Sequence, residues 1–214
     1  MQKIITIFIF SVLISQSSRA ASFNCVLANT NVEKAICQID SISTLDENMA
    51  SLYSSITKIY SDTKAIKSWQ KNWLSERNYC KDTRCLEDSY KRRIELLKAA
   101  LTADSSTRKW TGFYSRYINK KKDPDSADII LIALDNSKIY VEGSSIWIGN
   151  VKTGNVNTGE MRGLGELRGS VLGESVKDEL CSARLILTAN NTLVVEGESG
   201  CGGMNVTFNG EYFK

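Results

Sequence analysis

The stretch WQKNWLSERNYCKDTRCLEDSYKRR, residues 69–93, places Cys80 and Cys85 five residues apart between two segments of helical period. Upstream, Ile66, Trp69, Trp73 and Cys80 share one face, and downstream Leu86, Tyr90, Ile94, Leu97 and Leu101 do the same. Residues 81–84 then read as a helix-to-helix turn that a disulfide would lock. A metal site is disfavoured because the chain has no histidine, the usual partner of cysteine around zinc. The spacing is also not the Cys-x-x-Cys of redox motifs.

Compartment supports the clasp. Residues 1–20 carry Lys3, an apolar run over 4–14 broken by Thr6 and Ser11, and an ending Ser18-Arg19-Ala20. That is the pattern of a signal peptide cut after Ala20, and the run is too short to span a bilayer. No later segment approaches a transmembrane length, and Cys25 lacks the small apolar residues that precede a lipid-accepting cysteine. The expected location is periplasmic or secreted, where an even set of cysteines forms disulfides. The six are Cys25, Cys37, Cys80, Cys85, Cys181 and Cys201. Cys25 and Cys37 are placed to pin the start of the mature chain to a first helix, although four cysteines allow three pairings.

Composition divides the remainder in two. All 14 glycines lie at or beyond Gly112 and the single proline is Pro124, so residues 21–103 hold no strong breaker. The expected fold is α+β in two domains: a disulfide-bonded helical bundle over 21–103, a polar seam at 102–107, and a small antiparallel β barrel or sandwich over 108–214. Thr30 with Glu33, and Thr44 with Glu47, fit capping boxes that would start two helices. After the second box, Leu45, Met49, Leu52, Tyr53, Ile56 and Tyr60 follow a helical face. Trp69, Trp73 and Tyr90 read as core, and Arg77 and Arg93 on the same face as ion-paired with acids such as Asp46 or Glu76.

The series FNC, VEKAIC, LDENMASLY, WQKNWLSERNYC and RCLEDSYKRRIELL, over residues 23–97, resembles the N-terminal domain of the LprI-type lysozyme-inhibitor family. The resemblance implies an exported, disulfide-bonded helical domain in a bacterial protein that inhibits lysozyme. Members are often lipoproteins, and this chain departs from them in lacking the lipid-accepting cysteine.

The second half reads as strands at 129–134, 138–141, 181–188, 193–196 and 206–213, with turns at Asp135-Asn136 and Asn190-Asn191. Cys181, Ala183, Leu185 and Leu187 share a face. A turn over 189–192 would pair Thr188 with Leu193 and bring Cys181 opposite Gly200, so that one bulge near the flexible Cys201-Gly202-Gly203 joins the third disulfide. The ending from Gly200 to Tyr212 and the segment from Trp147 to Glu160 resemble the domains that often follow LprI-type domains. Gly163-Leu164-Gly165 lacks the third glycine of a dinucleotide fingerprint and reads as a β-turn.

Several functions are disfavoured. Removing residues 1–20 takes away Lys3 and Arg19 and no acid, lowering the net charge from +3 to +1. Nucleic acid has no electrostatic claim on such a chain, and Lys120-Lys121-Lys122 before Asp123 reads as a solvated loop. No motif implies a cofactor. Catalysis without histidine would need paired acids, for which Glu160, Glu166 and Glu174 are candidates in a glycine-rich segment. They read more simply as solvent-facing.

Binding remains. The expected partner is a lysozyme or related peptidoglycan hydrolase, occluded by side chains or a loop reaching its acidic catalytic groups. The alternatives are a small apolar or glycan ligand held in the β domain near Trp147 and Tyr140, or a secreted antibacterial toxin neutralised by an immunity protein. Arg77, Arg84, Arg92, Trp147, Gly202 and Gly203 are the candidate contacts.

Overall fold

The structure is a computed structural model that describes residues 21–173 and 181–214. The expected signal segment 1–20 and Glu174 lie outside the described residues. Helices α1 (Asn31–Gln38), α2 (Asp40–Ile59), α3 (Thr63–Arg77) and α4 (Thr83–Thr102) form the first half. The Thr30–Glu33 box caps α1 in both directions. The second box does not start a helix: α2 begins at Asp40, and Thr44 sits inside it, its hydroxyl donating to the Asp40 carbonyl at 2.9 Å. The earlier start carries Ile42 and Asp46 into the core, where both are buried.

Cys80–Cys85 closes the α3–α4 turn, and Asp82 caps α4 by accepting from the Cys85 N–H at 2.8 Å. Cys25–Cys37 ties the leading segment to α1. The seam is more ordered than a plain linker. Asp104 caps a one-turn helix, α5 (Ser105–Arg108), and its carboxyl is held down to about 2 by bonds from Ser106 and Thr107.

The second half is a closed meander. Strands β1 (Gly112–Ile118), β2 (Lys121–Lys122), β3 (Ala127–Ala133), β4 (Lys138–Asn150), β5 (Asn155–Arg168), β6 (Val171–Gly173), β7 (Ser182–Leu187), β8 (Leu193–Ser199) and β9 (Gly210–Phe213) pair antiparallel in order. β9 returns to β1 through Ser115 opposite Phe213, while β2 only extends the β3 side of β1. Eight strands thus close the barrel, a size that side chains can just fill. Trp110, Tyr114, Leu131, Val141, Leu185, Phe208 and Tyr212, all fully buried, belong to its core.

Three sequence expectations need correction here. Gly163-Leu164-Gly165 is not a turn but the middle of β5, with Gly163 opposite Val141 and Gly165 opposite Ile139. A Cβ on Gly165 would stand 2.7 Å from the Leu172 side chain, so glycine there makes room for packing. The last strand covers only Gly210–Phe213, since residues 206–209 are spent on Arg116 and Glu198, which bond Thr207 and Phe208. The β7–β8 loop is one residue longer than expected: Leu187 pairs with Leu193, and a bulge between Ser182 and Arg184 restores Ser182 opposite Ser199. The Cys181–Cys201 bridge lies beside that bulge.

The two halves share a core. β3 is buried on both faces, with Ile129, Leu131 and Ala133 in the barrel and Ile130, Ile132 and Leu134 packed among the helices. Each buried isoleucine or leucine contributes about 2 kcal/mol of transfer free energy. Polar bonds fix the same seam: the Tyr60 hydroxyl, next to the Ala100 carbonyl, also lies 3.2 Å from the Ala133 carbonyl of β3, and Asp62 accepts from the Phe113 N–H at 3.2 Å.

Candidate functional site

The expected contact residues separate into two places. Register puts Ile118, the start of β3 and the far ends of β4 and β5 at one end of the barrel, since Tyr117 pairs with Lys122, Ala127 with Ser145 and Ile148 with Val156. The β4–β5 hairpin runs past Ser145, where the β3–β4 pairing stops. Strand alternation turns Ile146, Ile148 and Val156 to the outer face and Trp147 to the inner one. Trp147 is half-buried and shares a cavity of about 240 Å³ with Arg116, Tyr117, Ile118 and Asn205. Gly202 and Gly203 are exposed next to it: Gly202 bridges Gly159, and Asn157, opposite Trp147, donates to the Met204 carbonyl at 2.6 Å.

This end is apolar and cationic together. Ile118 is 52 %, Val151 74 % and Met204 79 % exposed, and Ile146, Ile148 and Val156 are also open to solvent. Lys120 in the β1–β2 turn, Lys121 and Lys122 of β2, and Lys152 in the β4–β5 turn are all exposed at the same end. Asn119 and Lys120 both have positive φ, which sets the tight β1–β2 turn and presents the lysines. The neighbouring Asp123 is buried and paired with Arg116 at 2.5 Å, Asp125 stands in the same loop, and among the described residues none of the four lysines makes an ion pair.

The second place is the cleft between α3, α4 and the outer faces of β4 and β5. Two adjoining cavities of about 430 and 340 Å³ share Glu76, Glu142 and Arg162. Glu142 accepts from Asn72 at 2.6 Å and from the Tyr140 hydroxyl at 3.4 Å, and lies 3.6 Å from Arg162, which also binds Glu76. Burial raises the Glu142 carboxyl above the usual glutamate range, against the pull of Asn72 and Arg162. Arg92 is exposed and lines the smaller cavity. Arg84 is exposed at the start of α4.

Arg77 is not a contact residue. It is only 7 % exposed, donates to the Tyr90 hydroxyl at 2.9 Å and stands 3.9 Å from Asp46, so it belongs to the helical core. Arg93 is buried too, but its acceptor is the Gln70 amide at 2.8 Å and not an acid. Tyr140 faces the helices, its ring 5.7 Å from that of Trp69, and so is not placed to line the barrel interior.

Among the described residues no group of His, Cys, Asp or Glu is placed to hold a metal ion, and no helix is long and apolar enough to cross a membrane. Glu160 and Glu166 are exposed on the outer face of β5. Glu142 escaped sequence reading, and Glu76, expected beside Arg77 or Arg93, pairs with Arg162 instead, because nothing in the sequence brings α3 against β4 and β5. The alternation of Ile146, Trp147 and Ile148 was the available signal for the hairpin. No family model, curated protein or solved structure matches the chain.

Proposed function

We propose that the protein acts by binding at the β4–β5 end of the barrel, and that its partner is a lysozyme or related peptidoglycan hydrolase whose catalytic cleft this end enters. The observation that carries the reading is the meeting of exposed apolar side chains with four lysines at one end of a rigid barrel. Contiguous apolar surface rimmed by charge is the usual mark of a protein contact. A glycan-cleaving cleft holds a pair of carboxyl groups, which lysines can approach while the isoleucines cover the walls. The resemblance of residues 23–97 to LprI-type domains favours the same class of partner. A small ligand inside the barrel is the poorer reading, since the protein's own side chains fill the barrel core.

The test is the initial rate of cell-wall clearance by a chicken-type lysozyme, titrated with the full chain from residue 21. Separate halves are unsuitable because each would expose Ile130, Ile132 and Leu134 or their partners. Dose-dependent slowing is expected, lost in K120E/K121E/K122E/K152E and weakened in I146S/I148S. No slowing at large molar excess of folded protein would remove lysozyme as the partner and direct the same titration to other wall hydrolases and to secreted toxins.

A further inference from the structure

Among the described residues Arg93 makes no ion pair, and Glu76 and Glu142, which share its cavity, bond to Arg162 instead. Arg93 is 1 % exposed on α4, its guanidinium carbon 3.6 Å from the centre of the Trp69 ring. Nε and Nη2 both donate to the same Gln70 oxygen, at 3.2 and 2.8 Å. Among the described residues no carboxylate lies within 4.0 Å of the group. The other arginines of low exposure are treated differently: Arg77 has Asp46 and Arg116 has Asp123. A buried cation left with one neutral acceptor is costly, and such a group calls for an explanation. Burial pushes Arg93 down to about 9, against the weaker pull of Tyr140, Glu142 and Glu76 in the same cavity wall.

The surroundings say what is missing. Arg93 lines the 340 Å³ cavity together with Arg92, which makes no ion pair among the described residues. The two acids in that wall, Glu76 and Glu142, are engaged by Arg162. Three arginines against two glutamates leave a lining of net +1, suited to a monoanion and poorly suited to a phosphate dianion beside Glu142. Trp69, Trp73 and Tyr140 supply the rest of the wall. The Trp73 indole N–H is buried without an acceptor. A guanidinium offers its nitrogens in the planar fork that a carboxylate matches, and aromatic walls suit a ring.

We propose that this cavity binds a small ring-bearing carboxylate, gripped by the Arg93 guanidinium and by Arg92 at the rim. The site lies against the helices, and it is independent of the barrel-end reading.

The test uses the disulfide-bonded chain from residue 21, with calorimetry and tryptophan fluorescence as readouts. Benzoate and glucuronate are the probes, with benzamide and inorganic phosphate as controls. Saturable one-to-one binding of a carboxylate is expected, stronger for benzoate if the ring is aromatic and for glucuronate if it is a sugar. Arg92→Ala, at an exposed position, should weaken it by roughly tenfold or more without lowering the melting temperature. Arg93→Lys should abolish it. Absence of saturable binding by either carboxylate, equal binding of benzamide or phosphate, or undiminished binding by R92A would each overturn the proposal.

Discussion

Tyr90 donates its hydroxyl to Oδ1 of Asp46 over 2.7 Å, joining α4 to α2 at the centre of the helical core. Arg77 completes the group by donating to the same hydroxyl at 2.9 Å, and Asp46 accepts from the Ser22 N–H at 2.8 Å. All three side chains are buried, so removing one strands the others. Tyr90→Phe leaves the ion pair and should cost about 1–3 kcal/mol. Asp46→Ala leaves the Arg77 charge buried and should cost about 3–5 kcal/mol. Urea titration of the oxidised protein measures both, and equal losses would show that the hydroxyl, not the charge, dominates.

Ile132 is fully buried on the helical side of β3, while its neighbours Leu131 and Ala133 are buried in the barrel. A strand shared by two cores couples them. One cooperative unfolding transition is therefore expected, with far-ultraviolet helix signal and tryptophan fluorescence changing together. Ile132→Ala should lower that single transition by about 2–5 kcal/mol. Two transitions, with only one moved by the substitution, would show that the halves fold independently.

Glu142 gives a pH dependence of defined sign. Burial holds its carboxyl above the usual 4.5, with Asn72, Glu76, Arg93, Tyr140 and Arg162 as its polar neighbours. Between 4.5 and the raised value the folded protein keeps a proton that the unfolded chain has released. The contribution is thus fully present below 4.5 and lost as pH rises through the folded value. Glu142→Gln should flatten the fall in stability over that window, measured by urea midpoints at a series of pH values. Identical slopes in the two proteins would rule out Glu142 as the source.

Legibility of the sequence followed locality. The α1 cap, the Cys80–Cys85 clasp and the core role of Trp69 and Tyr90 all follow from residues within a turn or two of each other, and the structure has them. Where local signals compete with packing, they misled. Thr44 and Glu47 make a good capping box, but burial of Ile42 and Asp46 carries the helix start back to Asp40. Arg77 reads both as a core-face partner of Asp46 and as a contact cation, and the convergence of Tyr90 and Asp46 from two other helices decides for the core. The unpaired Arg93 and the lysine-bearing barrel end depend on which strands lie beside which helices, information that no short spacing carries.

The glycines of β5 are the sharpest case, and they can be tested. Gly-Leu-Gly reads as a turn because glycine is the common turn residue, yet Gly165 lies in extended strand with a Cβ position 2.7 Å from Leu172. Gly165→Ala should therefore destabilise by about 1–3 kcal/mol through overpacking. Leu172 is fully buried, and Leu172→Ala alone should cost about 2–5 kcal/mol by opening a cavity. The added methyl enters the space that the leucine vacates, so the double variant should lose less than the sum, with a coupling of about 0.5–3 kcal/mol. Strict additivity would mean that the added methyl meets its resistance elsewhere and not at the leucine of the neighbouring strand.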